Sequence, residues 1–165
     1  MKKKGSREHV RIVIGTDHAG YALKETLKKH LIKKGIDVID VGTFSEDPVD
    51  YPLIAQKAAE AMLSEKILGV FLGGSGLGEC IAGNKIAGIR AVRCTNVKDA
   101  TMGRRHNDAN MLNMGARMID PKLAVKVLDA FLQTPFDGDP DSKEDGERHI
   151  KRLKMLHEMD GYPYP

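Results

Sequence analysis

Short apolar runs alternate with amphipathic helical stretches from one end of this chain to the other, and no other feature of the sequence restricts its fold as much. Val10–Gly15 (VRIVIG) is β-branched and stops at glycine, which predicts a first strand. In YALKETLKKHLIKKG, Leu23, Leu27 and Leu31 fall four apart with Ala22 and Thr26 beside them, so a helix with one apolar face ends at Gly35. IDVIDVG (Ile36–Gly42) predicts a second strand, and a polar loop with two prolines leads into a helix over LIAQKAAEAML (Leu53–Leu63). ILGVFLGG is a third strand whose unbroken hydrophobicity implies burial on both faces. A helix is expected to begin over Glu79–Asn84. IRAVRC gives a fourth strand, KDATMGRRHN a short helix, and MLNMGARMI a fifth strand with a glycine inside it. Pro121 suits a first helical position ahead of KLAVKVLDAFLQ. After the loop Asp137–Gly146 comes a basic last helix, ERHIKRLKMLHEM.

Such alternation predicts a five-stranded parallel sheet with helices on both faces. Sheets of this kind bind ligands at the carboxyl ends of their strands, where the strand order reverses. Three polar clusters are expected to converge there: GTDHAG after the first strand, GGSGLGE after the third and RRHN before the fifth.

Composition narrows the function classes. At 165 residues the chain fits one domain, 1–165, with residues 1–9 expected to be a flexible basic tail. Charged residues make up 30% and apolar ones 41%, as in ordinary soluble proteins. A net charge of +3 is too mild to make nucleic acid the main ligand. No apolar run is long enough to cross a bilayer, and Arg7, Glu8, His9 and Arg11 interrupt any signal-like segment. Cys80 and Cys94 make neither a disulfide framework nor a metal-ligand pattern, so a reducing, cytoplasmic setting is expected. The loop Asp137–Gly146 is biased toward Gly, Asp and Pro and is expected to be exposed.

The stretch GVFLGGSGLGE holds five glycines in ten residues and ends on a carboxylate. From Gly74 the spacing is Gly-x-Gly-x-Gly with Glu79 sixth, which fails the dinucleotide pattern, and GNK lacks the hydroxyl of a Walker loop. Successive glycines instead let main-chain N–H groups converge on one point at a helix start, a cradle for a phosphate or an oxyanion. Glu79 has two readings. Acids suit first helical turns for their charge alone, whereas a general base there could take a proton while the loop holds the resulting oxyanion. The helix dipole lowers such a carboxyl's pKa and burial raises it.

Taken together, GTDHAGYALK, DYP, GGSGLGECIAGNK, GIRA, RRHN, GAR and ERHIKR resemble, in order and spacing, the ribose-5-phosphate isomerase B family, which includes the galactose-6-phosphate isomerase subunits. The resemblance runs from about Val10 to about Met159. It implies a doubly wound (Rossmann-like) α/β fold and an aldose–ketose isomerase without metal or organic cofactor. It also implies a homodimer, or a tetramer of paired dimers, with an active site shared between subunits. Gly74, Ser75, Gly76, Leu77 and Gly78 correspond to the anion hole, and Ser75 to the residue handling the hydroxyl proton. Many members carry a cysteine base just before this loop, where this chain has Gly73. Another branch ends the loop with glutamate, and SGLGE resembles that branch, which assigns the base to Glu79. Cys80, about 100° further round the helix, should point elsewhere.

By the same resemblance His106 opens the furanose ring, a task suited to imidazole near neutral pH. Asn107 bonds a sugar oxygen or orients its loop. Asp17 and His18 contact the sugar and phosphate, although an Asp there equally suits a helix cap. Arg117, Arg148 and Arg152, with His149 in the same motif, bind phosphate. Arg148 and Arg152 are four apart and so share a helical face. The reaction implied is interconversion of ribose 5-phosphate and ribulose 5-phosphate, a step of the pentose phosphate pathway. The alternatives are six-carbon substrates, galactose 6-phosphate or allose 6-phosphate, and a non-catalytic phosphosugar-binding regulator.

Overall fold

The computed structural model describes residues 10–140 and 146–163; the expected basic tail (1–9) and the 141–145 part of the polar loop lie outside the described residues. The chain runs β1 (Arg11–Thr16), a 3-10 turn (His18–Gly20), α1 (Tyr21–Lys33), β2 (Asp37–Asp40), α2 (Tyr51–Glu65), β3 (Gly69–Gly73), α3 (Leu77–Asn84), β4 (Ala91–Arg93), α4 (Val97–Asn107), β5 (Met111–Gly115), α5 (Pro121–Gln133) and α6 (Glu147–Asp160). The strands form one sheet in the order β2-β1-β3-β5-β4, and every pairing is parallel. Among the described residues no helix is long and apolar enough to cross a membrane.

Alternation along the strands feeds two cores. Ile12, Ile14, Val70, Leu72, Leu112 and Met114 face α1 and α5, where Leu23, Leu27, Leu31, Leu128 and Phe131 are buried. Val13, Phe71 and Met111 face the other side, against Ala55, Ala58, Ala59 and Met62 of α2. Burying one large apolar side chain stabilises by about 1.5–3 kcal/mol, so the leucine spacing of α1 suffices to dock it. β3 is buried along its whole length, as its unbroken hydrophobicity predicts.

Several boundaries differ from expectation, most by a residue or two, α3 starting at Leu77 rather than Glu79 among them, and two of the differences have a visible cause. Helix α2 starts at Tyr51 rather than Leu53, since Pro52 fits a first turn. The fifth strand stops at Gly115 instead of continuing to Ile119: a turn closes from Met118 N–H to the Gly115 carbonyl. Gly115 cannot carry a side chain, because a Cβ there would overlap the backbone of Ser75. The glycine expected inside a strand therefore ends it, at the point where the next loop presses closest.

From β1 the chain goes outward to β2, then crosses back to place β3 on the other side of β1. Strand order thus reverses between β1 and β3. In that crevice Thr16 pairs with Leu72 and Gly73 with Gly115, so Asp17, Gly74 and Ala116 all leave the sheet at one edge.

Candidate active site

The glycine loop is held from behind. Ala116 N–H donates to the Gly73 carbonyl (2.8 Å), Arg117 N–H to the Gly74 carbonyl (3.0 Å), and Arg93 Nε to the Ser75 carbonyl (2.8 Å). In a planar trans peptide the following N–H points opposite to the carbonyl. Those three bonds therefore turn the N–H groups of Gly74, Ser75 and Gly76 away from β5, toward the open side of the loop. Gly76 has φ of +74°, and a Cβ on it would run into the Met114–Gly115 backbone, so no other residue fits. Leu77 N–H donates to Ser75 Oγ (3.3 Å) as α3 begins. The result is a concave row of donors at a helix N-terminus.

Glu79 lies directly beneath this row, 4% exposed, and its Oε2 is buried with no hydrogen-bond partner among the described residues. Burial is the largest influence on its carboxyl and pushes the pKa up. The amides of Glu79 and Gly76 pull it down, the nearby Asp17 charge adds to the rise, and the net direction is upward. Of the two opposed effects read from the sequence, burial wins over the helix start. The side chain folds back under the end of β3, where a Cβ on Gly73 would overlap Glu79 Oε1 and Cδ. Glycine at 73 and the carboxyl of Glu79 are one steric solution: a side chain at 73 would occupy the space the carboxyl now fills.

The cleft above Glu79 holds about 400 Å³ and is lined by Asp17, His18, Tyr51, Gly74, Ser75, Gly78 and Arg117 among others. Three hollows of about 940, 870 and 440 Å³ are larger, but they lie along α6 and at the amino ends of the strands. Asp17 is buried and does cap: its Oδ1 accepts from Ala19 N–H (2.9 Å) and Gly20 N–H (3.2 Å), while the side chain still lines the cleft. His18 Nδ1 accepts from Val49 N–H (3.3 Å), so a neutral ring keeps its proton on Nε2 as a donor. The Arg117 guanidinium lies against Gly74. Cys80 points away, its Sγ toward the Ala91 carbonyl (3.5 Å), and burial raises its thiol pKa.

The remaining sequence candidates gather elsewhere. None of His106, Asn107, Arg148, His149 and Arg152 lines this cleft. His106, near the end of α4, stacks on His149 of α6 with ring centroids 4.4 Å apart and 9° between planes. Arg148 Nε donates to His149 Nε2 (3.3 Å), and Arg148 and Arg152 are exposed on α6. Burial, then the neighbouring His106 and Arg148, hold the His149 pKa below the usual imidazole range. Asn107 is exposed at the last position of α4. Arg117 is thus separated within one chain from the two arginines with which the sequence grouped it. His106, His149 and Asp137 bring donor atoms within 4.8 Å of one another. Arg105 holds Asp137 Oδ1 and Arg148 holds His149 Nε2, and the surrounding positive charge suits an anion.

Sequence reasoning missed three residues that shape these sites. Tyr51 was visible only as part of DYP; its ring packs against Gly78 at the cleft. Arg93 sits in a strand, where nothing local signals its grip on Ser75. Asp137 was absorbed into a loop read as exposed, yet it is 6% exposed.

Comparison with known proteins places this geometry. The family described as Ribose/Galactose Isomerase matches residues 12–156. Ribose-5-phosphate isomerase B of Escherichia coli (strain K12) is 40% identical over 147 residues, which cover 88% of this chain and 93% of that protein. The crystal structure of a ribose 5-phosphate isomerase from Thermotoga maritima superposes with a TM-score of 0.84 at 43% identity, covering 92% of this chain and 99% of that one. Ribose-5-phosphate isomerase B from Mycoplasma genitalium, solved with bound ribulose-5-phosphate, gives 0.83 at 29% identity over 93% and 98% of the two chains. A match spanning nearly every element of the sheet, in sequence and in three dimensions, establishes the parentage: the chain belongs to the Ribose/Galactose Isomerase family.

Proposed function

We propose that this chain is a cofactor-free aldose–ketose isomerase interconverting ribose 5-phosphate and ribulose 5-phosphate, acting as a single domain in the cytoplasm. The observation that carries the proposal is the buried carboxyl of Glu79, its Oε2 without a partner among the described residues, beneath a row of main-chain donors. Proton transfer between C2 and C1 passes through an enediol whose oxygen gains charge as the C–H bond breaks. A base is needed on one face and fixed donors around that oxygen. Glu79 takes the C2 proton and returns it to C1. The amides of the Gly74–Gly78 loop, Leu77 included, hold the oxygen, and Ser75 Oγ carries the hydroxyl proton from O2 to O1. A carboxyl raised by burial is a stronger base than a solvated one, which suits the step.

Asp17 and His18 orient the open-chain sugar from the β1 side. Arg117, Arg148, His149 and Arg152 receive the phosphate, His106 opens the furanose, and Asn107 steadies the sugar. Because these groups fall into two separate sets in one chain, the working unit in this reading is a homodimer, with one subunit's His106 facing its partner's glycine loop. Pairing into a tetramer is compatible with it.

A coupled assay of purified protein against five- and six-carbon aldose phosphates, with and without a chelator, tests the reading. Turnover of ribose 5-phosphate unchanged by the chelator is expected. Preference for galactose 6-phosphate or allose 6-phosphate would move the substrate assignment, and sugar-phosphate binding without turnover would leave a regulator.

A further inference from the structure

Asp137 has no role in the chemistry assigned so far, yet it is one of the few buried carboxylates of the fold and it lies against the ring-opening histidine. It lies in the connection from α5 to α6 and is tied to residue 105 twice. Its N–H donates to the Arg105 carbonyl (3.0 Å) and its Oδ1 accepts from Arg105 Nε (2.9 Å). Gly146 backs it closely enough that a Cβ there would overlap the Asp137 carbonyl. So clamped, Asp137 brings its second oxygen, Oδ2, to 3.7 Å from His106 Nε2.

Among the described residues, Arg105 from α4 and Arg148 and Arg152 from α6 bring positive charge to the pair. His149 is stacked on His106, and two stacked imidazoles cannot both hold an extra proton without strong repulsion. His149 Nε2 is already taken as an acceptor by Arg148, and its ring is 4% exposed. The carboxylate approaches the other ring. We propose that Asp137 is a positioning residue for ring opening, fixing the His106 ring by its Nε2 edge.

This rests on the isomerase reading and deepens it. With Nε2 turned to Asp137, Nδ1 is the nitrogen left for the sugar. The imidazolium gives its Nδ1 proton to the furanose ring oxygen as the C1–O bond breaks, and the bonding pair stays on that oxygen. The C1 hydroxyl becomes the aldehyde and releases its proton to water, from which His106 is recharged. The carboxylate keeps its charge throughout, orienting the ring and stabilising the cation as in other carboxylate–imidazole pairs.

The test is Asp137→Asn, assayed with cyclic ribose 5-phosphate and with ribulose 5-phosphate, which has no furanose to open. We expect kcat for the cyclic sugar to fall on the order of 10- to 100-fold, with KM and the ribulose 5-phosphate rate within about twofold of wild type. Asp137→Glu should recover part of the loss. If Asp137→Asn does not fold, Asp137→Glu must itself slow the cyclic sugar selectively. Equal slowing of both sugars, or none, overturns the inference and leaves the isomerase intact. A readout independent of turnover separates the two proposals: ring 15N spectra at one fixed pH. The Nε2 signal of His106 should shift in Asp137→Asn while those of His18 and His157 stay. An unmoved His106 signal overturns the inference even if the enzyme is active. Absence of ribose 5-phosphate turnover by wild type removes the isomerase reading instead.

Discussion

The glycine-loop cleft and the histidine–arginine cluster are built on opposite principles. In the cleft the donors are main-chain groups, locked by bonds from Ala116, Arg117 and Arg93, and the two acids, Asp17 and Glu79, are buried. In the cluster the groups are side chains near helix ends, with Arg148 and Arg152 exposed. A developing oxyanion needs donors that do not reorganise, which backbone supplies. A phosphate dianion arriving from water is better met by long cationic arms that can follow it. In the proposed reading neither region holds a whole site: the cleft supplies the base with one arginine, and the cluster supplies an acid and cations without a base.

The sharpest way to break that division is to disable each half separately. Glu79→Gln should lower kcat by about 10³-fold or more while leaving a sugar-phosphate analogue bound nearly as tightly, because the cationic half is untouched. His106→Asn should slow cyclic ribose 5-phosphate far more than ribulose 5-phosphate. If the halves meet across a two-fold axis, unfolding and refolding the two variants together restores activity. Random pairing makes half the dimers mixed, each with one intact site, so about a quarter of wild-type activity should return. No recovery on mixing would show that each subunit completes its own site, and the two-region division would fall.

A smaller effect is expected from Gly73→Ala, which touches only the cleft. Its new Cβ would displace the Glu79 carboxyl. A misplacement of about 1 Å costs on the order of 10²-fold in rate. Isomerisation of both sugars should fall together, and phosphate-dependent binding should not. Selective loss of binding would mean that the cleft, and not the cluster, is where the phosphate is read.

How much of this was legible in the sequence follows the same contrast. The sheet and its helices could be read because apolar spacing reports burial directly, as at Leu23, Leu27 and Leu31. The glycine loop could be read because only glycine meets its geometry, as at Gly76. Ordered motifs, rather than periodicity, pointed to His106 and Arg148. What spacing could not reveal were contacts between residues far apart in the chain, Arg93 on Ser75 and Asp137 on His106, or the fold-back that puts the Glu79 carboxyl in the space beside Gly73. The end of β5 was misread for the same reason, since only the loop packed against Gly115 explains the turn.

The smallest predicted effect is on stability, and it belongs to the cleft. Burial raises the Glu79 pKa, so the native state holds this proton more tightly than the unfolded chain does. Below the ordinary glutamate value both states are protonated and the residue costs nothing. As pH rises from there through the native pKa, the unfolded chain ionises freely while the native state must ionise a carboxyl whose Oε2 has no partner, so stability is lost. Above the native pKa the loss is complete and constant. Glu79→Gln removes this dependence, and at pH 8 it should stabilise by about 1 kcal/mol, or roughly 2–4 °C in Tm for a chain of this size. At pH 4 the gain should vanish. Thermal melts of wild type and Glu79→Gln across pH 4–8 make the comparison. A Glu79→Gln protein less stable than wild type at pH 8 would mean that the carboxyl is held by favourable contacts, and that the cleft was not built at the expense of the fold.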